Sequence, residues 1–209
     1  MMTTEIDAQS TDDKVRKRIF GSGRGLVFTP STFLDLGGRD AVDQALSRLA
    51  AEGTIRRLAR GLYDYPKVHA VLGMLLPTPD AIAKALAVRD AARLQPAGAY
   101  AANLLGLSEQ VPASVLFLTD GLARTVQVGA MKITLRRTTP RVMATAGRLS
   151  GLLIQAFRYL GKENVTPARL DQLRHSLPAV ERESLIRDIK YAPAWIHRHF
   201  RELARPEEG

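Results

Sequence analysis

One stretch constrains this chain more than any other. Val42, Ala45, Leu46 and Leu49 recur at i, i+3, i+4 and i+7. That spacing gathers apolar side chains into one buried stripe of a helix running from about Asp40 to Ala51. Gly53 is its C-terminal stop. Asp40, Gln44, Ser47, Arg48 and Ala51 fall on the opposite side, with Asp40 expected as the N-cap. Next come Thr54-Ile-Arg-Arg-Leu58 and Leu62-Tyr-Asp-Tyr65, separated by Ala59-Arg60-Gly61. Two short strands about a Gly-containing turn predict a hairpin.

What precedes this stretch fits it. Asp12 and Asp13 suit the start of a helix over 14–20, stopped at Gly21 and followed by a Gly-rich loop to Gly25. Val27 and Phe28 are an extended apolar pair, and Pro30 opens a short helix over 31–36. Gly37-Gly38 makes a tight turn. Helix, helix, tight turn, helix, hairpin is the order of a winged helix-turn-helix, whose third helix enters the major groove while the hairpin lies along the backbone.

The rest predicts a larger α+β body. Thr78 and Pro79 open a helix to about 94, broken by Gln95-Pro96, and a further helix covers 99–105. Strands are expected over 114–119, 124–128 and 131–137, with Asp120-Gly121 and Gly129-Ala130 as hairpin turns. Helices over 147–160, 167–176, 179–191 and 194–203 finish the chain. The fold class is therefore α+β: an N-terminal winged helix, then a mixed domain with a short antiparallel sheet and C-terminal helices. The expected divisions are a disordered tail (1–11), a DNA-binding domain (12–66) and a C-terminal α+β domain (67–209), joined by a Gly/Pro-punctuated connection over 69–79.

Composition narrows the chemistry. There is no Cys, which excludes disulfides, thiolate nucleophiles and Cys-based metal sites. The polar first eleven residues resemble no signal peptide. No apolar run approaches the ~20 residues needed to cross a bilayer. A soluble cytoplasmic protein with no membrane partner is expected. Lys and Arg number 30 against 21 Asp and Glu, a net charge of +9, which suits a polyanionic partner. Yet residues 1–66 hold ten basic and nine acidic residues, so the excess lies mostly outside the expected reader.

Particular residues then resemble a family. Val27-Phe-Thr-Pro-Ser-Thr-Phe-Leu34, Ala41-Val-Asp-Gln-Ala-Leu-Ser-Arg-Leu49 and Gly53-Thr-Ile-Arg-Arg-Leu-Ala-Arg-Gly-Leu-Tyr63 resemble the AbiEi-type antitoxins. So do Pro96-Ala-Gly-Ala-Tyr-Ala-Ala-Asn-Leu-Leu-Gly-Leu107, Gln110-Val-Pro112 and Leu118-Thr-Asp-Gly121. These are the antitoxin halves of type IV toxin–antitoxin and abortive-infection systems. The resemblance covers roughly residues 12–140. It implies a winged helix that binds operator DNA and represses its own operon, beside a domain that counteracts a nucleotidyltransferase-like toxin without needing a stable complex. Residues 141–209 match no motif of that family.

The candidate DNA-binding residues are Arg39, Gln44, Ser47, Arg48, Arg56, Arg57 and Arg60. Arg pairs bidentately with guanine and Gln with adenine, while Arg56, Arg57 and Arg60 on the hairpin would neutralise phosphates or enter the minor groove. Charge on an edge hairpin also serves solubility. Lys14, Arg16, Lys17 and Arg18 form a basic cluster spread around the first helix. Lys132, Arg136, Arg137 and Arg141 could form a second patch.

Catalytic signatures are missing. Gly21-Ser-Gly-Arg-Gly25 lacks the Gly-Lys-Ser/Thr of a phosphate loop, there is no H-E-x-x-H, and His197 and His199 point to different sides of a helix. No enzyme activity, cofactor or metal is expected. The expected function is a type IV antitoxin and autorepressor acting on double-stranded operator DNA and a cognate toxin, with a homodimer or paired binding on an inverted repeat. The alternative is an interaction module that neutralises a toxin by direct contact, with DNA binding secondary.

Overall fold

Ser10 begins the first element by capping it: its Oγ accepts the amide N–H of Asp13 at 3.2 Å. The computed structural model describes residues 10–110 and 112–205. Most of the expected tail, residues 1–9, lies outside the described residues, as does Val111. Thr11, assigned to that tail, is the first residue of helix α1 (Thr11–Ser22). The described chain is mixed α+β, with small sheets and a helical C-terminal part. It forms two compact units that divide between Arg89 and Asp90.

In the first unit α1 runs past Gly21 and ends at the cap Gly23. Strand β1 (Val27–Phe28) follows. The helix expected over 31–36 is instead a single 3-10 turn, Pro30–Phe33. Helix α2 (Arg39–Ala51) is capped by Gly38, not by Asp40. It starts earlier than expected because Arg39 pairs with Asp43 one turn on, at 2.7 Å, a stabilising i,i+4 contact. Asp40 lies in the first turn, where its charge suits the macrodipole.

Strands β2 (Arg56–Ala59) and β3 (Leu62–Asp64) form the expected hairpin. Gly61 supplies the positive φ of +69° that its turn needs. β3 lies between β1 and β2 in an antiparallel sheet. Phe28 meets Phe33 edge-on at 5.2 Å and stacks on Tyr63 at 6.1 Å. These rings pack with Val15, Ile19, Leu46 and Leu49 from the two helices. The stripe on α2 is thus the floor of this core, and its opposite face is left outward.

The expected plain connection contains two further strands, β4 (Val68–His69) and β5 (Gly73–Met74), paired in a separate ribbon. Helix α3 (Pro79–Ala87) is capped by Thr78, whose Oγ1 accepts Ala81 N–H at 3.2 Å. It ends well before 94.

In the second unit residues 94–97, expected as a helix end and a break, are strand β6 (Leu94–Ala97). Its Pro96 is tolerated because β6 is a sheet edge. Helix α4 (Gly98–Leu104) leads to β7 (Ser114–Thr119), β8 (Arg124–Val128) and β9 (Met131–Arg137), in the order β6-β7-β9-β8. Gly129-Ala130 turns a hairpin between β8 and β9, but Asp120-Gly121 does not, since β7 and β9 run parallel. The expected wholly antiparallel sheet is therefore corrected to a mixed one. The loop is tied sideways. Asp120 accepts Arg93 N–H and Nε–H, each at 2.8 Å. Asp90 accepts Leu122 N–H at 3.3 Å and pairs with Arg124 at 3.3 Å. These bonds carry the chain past the sheet centre, which buried Ile133 and Leu135 of β9 then occupy.

Helices α5 (Pro140–Met143), α6 (Leu149–Leu160), α7 (Pro167–Ser176), α8 (Ala179–Asp188) and α9 (His197–Leu203) complete the unit. Leu153, Phe157, Leu173, Leu185 and Phe200 pack together in its core, with Tyr191 and Trp195 against them. No helix among the described residues is long and apolar enough to cross a membrane.

Candidate nucleic-acid interface

Residues 1–66 are nearly neutral by count, but their charge is not evenly available. Five of their acids are held by five of their arginines. Arg16 meets Glu52 at 2.9 Å, Arg18 meets Asp35 at 2.8 Å, and Arg48 meets Asp12 at 2.7 Å. Arg39 holds Asp43 at 2.7 Å and Arg56 holds Asp64 at 2.6 Å. The hydrogen bond from Arg18 keeps the Asp35 carboxyl below the usual carboxylate range. These pairs join α1 to α2 and to the 3-10 turn. They also divide the candidates into those already paired within the fold and those left unpaired.

Arg56 points at its own fold. Its Nε and Nη2 donate to Asp64 at 3.1 and 2.6 Å, and Nη2 also donates to the Leu75 carbonyl at 2.8 Å. Asp64 is 1% exposed, so Arg56 neutralises a buried carboxylate and anchors the hairpin base. Arg48 and Arg39 sit at the flanks of α2's outer face, each already in an ion pair. Gln44 and Ser47 are exposed on that face between them. Arg57 and Arg60 are exposed on the hairpin. Among the described residues, these four side chains make no hydrogen bond or ion pair within the fold.

The structure thus separates the seven candidates. Gln44 and Ser47 form a short, polar face at the middle of α2. Arg57 and Arg60 are cations held out by a well-anchored hairpin. Arg39, Arg48 and Arg56 build the frame. Of the α1 cluster, Arg16 and Arg18 are paired to acids, while Lys14 and Lys17 are exposed. Arg39 to Asp43 is an i,i+4 pair within one helix, but Arg48 to Asp12 spans 36 residues, which no local pattern reports.

One group of residues escaped sequence reasoning. The Arg24 guanidinium lies 4.8 Å over the Tyr65 ring and donates to the Pro66 carbonyl at 3.1 Å. Tyr65 in turn meets Phe20 at 5.6 Å. Arg24 was readable only as a charge in a Gly-rich loop.

In the second unit Lys132 and Arg136 share the outer face of β9 with half-buried Thr134, and Arg137 is also exposed. Arg141 is exposed too but donates to the Lys190 carbonyl at 2.7 Å. Two of the unit's buried polar residues, Asp188 and His199, meet neighbours within it. Asp188 accepts Ser150 Oγ–H at 2.5 Å and Arg148 Nη1–H at 2.8 Å, beside the α6 N-terminus. His199 is buried between Phe157 and Trp195, and burial pushes its pKa down. His197 faces elsewhere, against the Ala192 carbonyl at 3.1 Å. Among the described residues no group of three or more His, Cys, Asp or Glu could hold a metal ion.

Comparison with curated proteins gives no match. Among solved structures, the chain is similar to the crystal structure of the RV2827C protein from Mycobacterium tuberculosis. The identity is 16%, 91% of this chain and 76% of that chain are covered, and the TM-score is 0.45. A protein-family model matches residues 14–185, most of the chain, and the chain therefore belongs to that family, DUF6088, a family of unknown function.

Proposed function

We propose that the first unit is a winged helix-turn-helix that binds operator DNA, and that the protein is an autorepressing antitoxin. One observation carries the DNA reading. A hairpin anchored by Arg56 on the buried Asp64 leaves Arg57 and Arg60 exposed, and the helix before it leaves Gln44 and Ser47 exposed on its outer face. Arginines on the hairpin set register on phosphates, and α2 reads base edges. Arg39 and Arg48 need only exchange a surface carboxylate for a phosphate, because exposed ion pairs are worth at most ~1 kcal/mol.

The antitoxin part rests on the sequence blocks that resemble AbiEi-type proteins. The second unit then acts against a nucleotidyltransferase-like toxin. Its formal charges, 17 basic against 11 acidic residues over 90–209, suit a polyanion or an acidic partner.

A promoter fusion tests the repressor. DNA upstream of the protein's own gene drives a reporter, with the protein supplied in trans. Repression that Gln44→Ala/Ser47→Ala relieves, at unchanged protein level, supports the reading; unaltered reporter output contradicts it. Co-expression with the adjacent gene tests the antitoxin: rescue of a growth defect is expected, and no rescue removes that part alone.

A further inference from the structure

The β4–β5 ribbon exposes apolar side chains that the proposed DNA contacts leave unused. Val71 is 85% exposed and Leu72 71%, with Val68 and Met74 beside them on the strands at 61% and 62%. Together they make a patch on the order of the few hundred Å² that is the most a monomer usually shows. The tip is not slack. His69 Nδ1 accepts the amide N–H groups of both Val71 and Leu72 at 3.2 Å. Two large aliphatic groups are thus held outward on a fixed turn.

The rim decides what the tip can meet. A hollow at its base is lined by Phe20, Arg24 and Tyr65 together with Val68 and Met74. On the other side the stem of Lys67 lies along Gly25, where an added Cβ would sit 2.5 Å from Lys67 Cε. No carboxylate lines that hollow. Two copies apposed through this face would set cation against cation. An apolar tip with a cationic rim instead complements a duplex entered from the minor groove, with charged phosphates outside and stacked bases within.

Reach agrees. The same hollow is lined by Gly53 and Thr54, the link between α2 and β2. The 13 residues of α2 span ~20 Å. Half a duplex turn is roughly 17 Å. The neighbouring minor groove is thus within about one α2 length of a device rooted at the end of a helix lying in the major groove.

We propose that the β4–β5 tip is a minor-groove wedge: Val71 and Leu72 enter between base pairs, while Arg24 and Lys67 hold the flanking phosphates. This rests on the DNA reading of the first unit.

The test uses the full chain and duplexes from upstream of its gene, carrying 2-aminopurine at successive positions. The wild type should raise fluorescence several-fold at one base step. Val71→Ser/Leu72→Ser should abolish that rise and weaken binding about tenfold, with the salt dependence of binding and the thermal unfolding unchanged. Arg24→Ala/Lys67→Ala should lower the slope of log K against log salt by about 1.8. Tight binding without unstacking at any position overturns the wedge alone. So does a dimer in sedimentation that Val71→Ser/Leu72→Ser dissolves. Failure of the wild type to bind any duplex removes the DNA reading and the wedge with it.

Discussion

The two hairpins of the first unit are consecutive in the chain and opposite in construction. β2–β3 puts Leu62, Tyr63 and Asp64 into the interior and is pinned by the Arg56–Asp64 pair. β4–β5 is exposed along both strands and is held by its own register, by His69 at the tip and by Arg56 on the Leu75 carbonyl at its base. The first hairpin has a buried face, so its outward residues are free to be charged. The second has no buried face, and its apolar tip residues Val71 and Leu72 stand outside the core of the unit. An exposed cation on a well-packed hairpin and an exposed aliphatic group on an unpacked one are both groups that stability does not need.

Matched truncations give the sharpest contrast. Leu62→Ala should cost ~3 kcal/mol through the cavity it leaves, whereas Leu72→Ala should change stability by less than ~0.5 kcal/mol. Denaturant titration of both variants checks this, and a similar loss in each would erase the distinction. Next in size is Asp64→Ala, which strands a half-buried guanidinium. Its expected cost is ~2–3 kcal/mol, with Arg56→Met/Asp64→Leu recovering much of it. A loss no larger than that of an exposed ion pair would mean the anchor is superficial.

The pH dependence near neutrality involves the other unit. Burial depresses the His199 pKa, so the unfolded chain binds a proton there that the folded one resists. Stability should fall as pH drops through and below the ordinary His value of ~6.5. His199→Phe should flatten the profile between about pH 7 and 5. An unchanged profile would show that other groups set it. The smallest effect belongs to the hairpin arginines. Arg57→Ala/Arg60→Ala should leave thermal unfolding within ~0.5 kcal/mol of the wild type, as expected for exposed side chains away from packing.

Legibility in the sequence divides along the same line. Where burial imposes a period, the pattern is visible: Val42, Ala45, Leu46 and Leu49 locate α2, and the alternation of Met131, Ile133 and Leu135 locates β9. Where long-range contacts decide, it is not. Asp120-Gly121 has the residues of a hairpin turn, yet Arg93 and Asp90 draw the loop aside and β9 takes the central place. Pro96 reads as a breaker because edge position is a property of the whole sheet. Arg56 and Arg57 are neighbours of one type. Only the partner at Asp64, eight residues away, makes the first structural and leaves the second available. The strands of β4–β5 are two residues each, too short for any period to show.

The most direct measurement is a binding titration of the full chain against DNA from upstream of its own gene, beside a scrambled duplex, at two salt concentrations. Wild type and Arg57→Ala/Arg60→Ala should be compared. The account predicts at least tenfold preference for the upstream duplex. It also predicts a slope of log K against log salt about 1.8 shallower in the variant, one counterion-release increment for each lost phosphate contact. Equal affinity for both duplexes, or an unchanged slope in the variant, would contradict it.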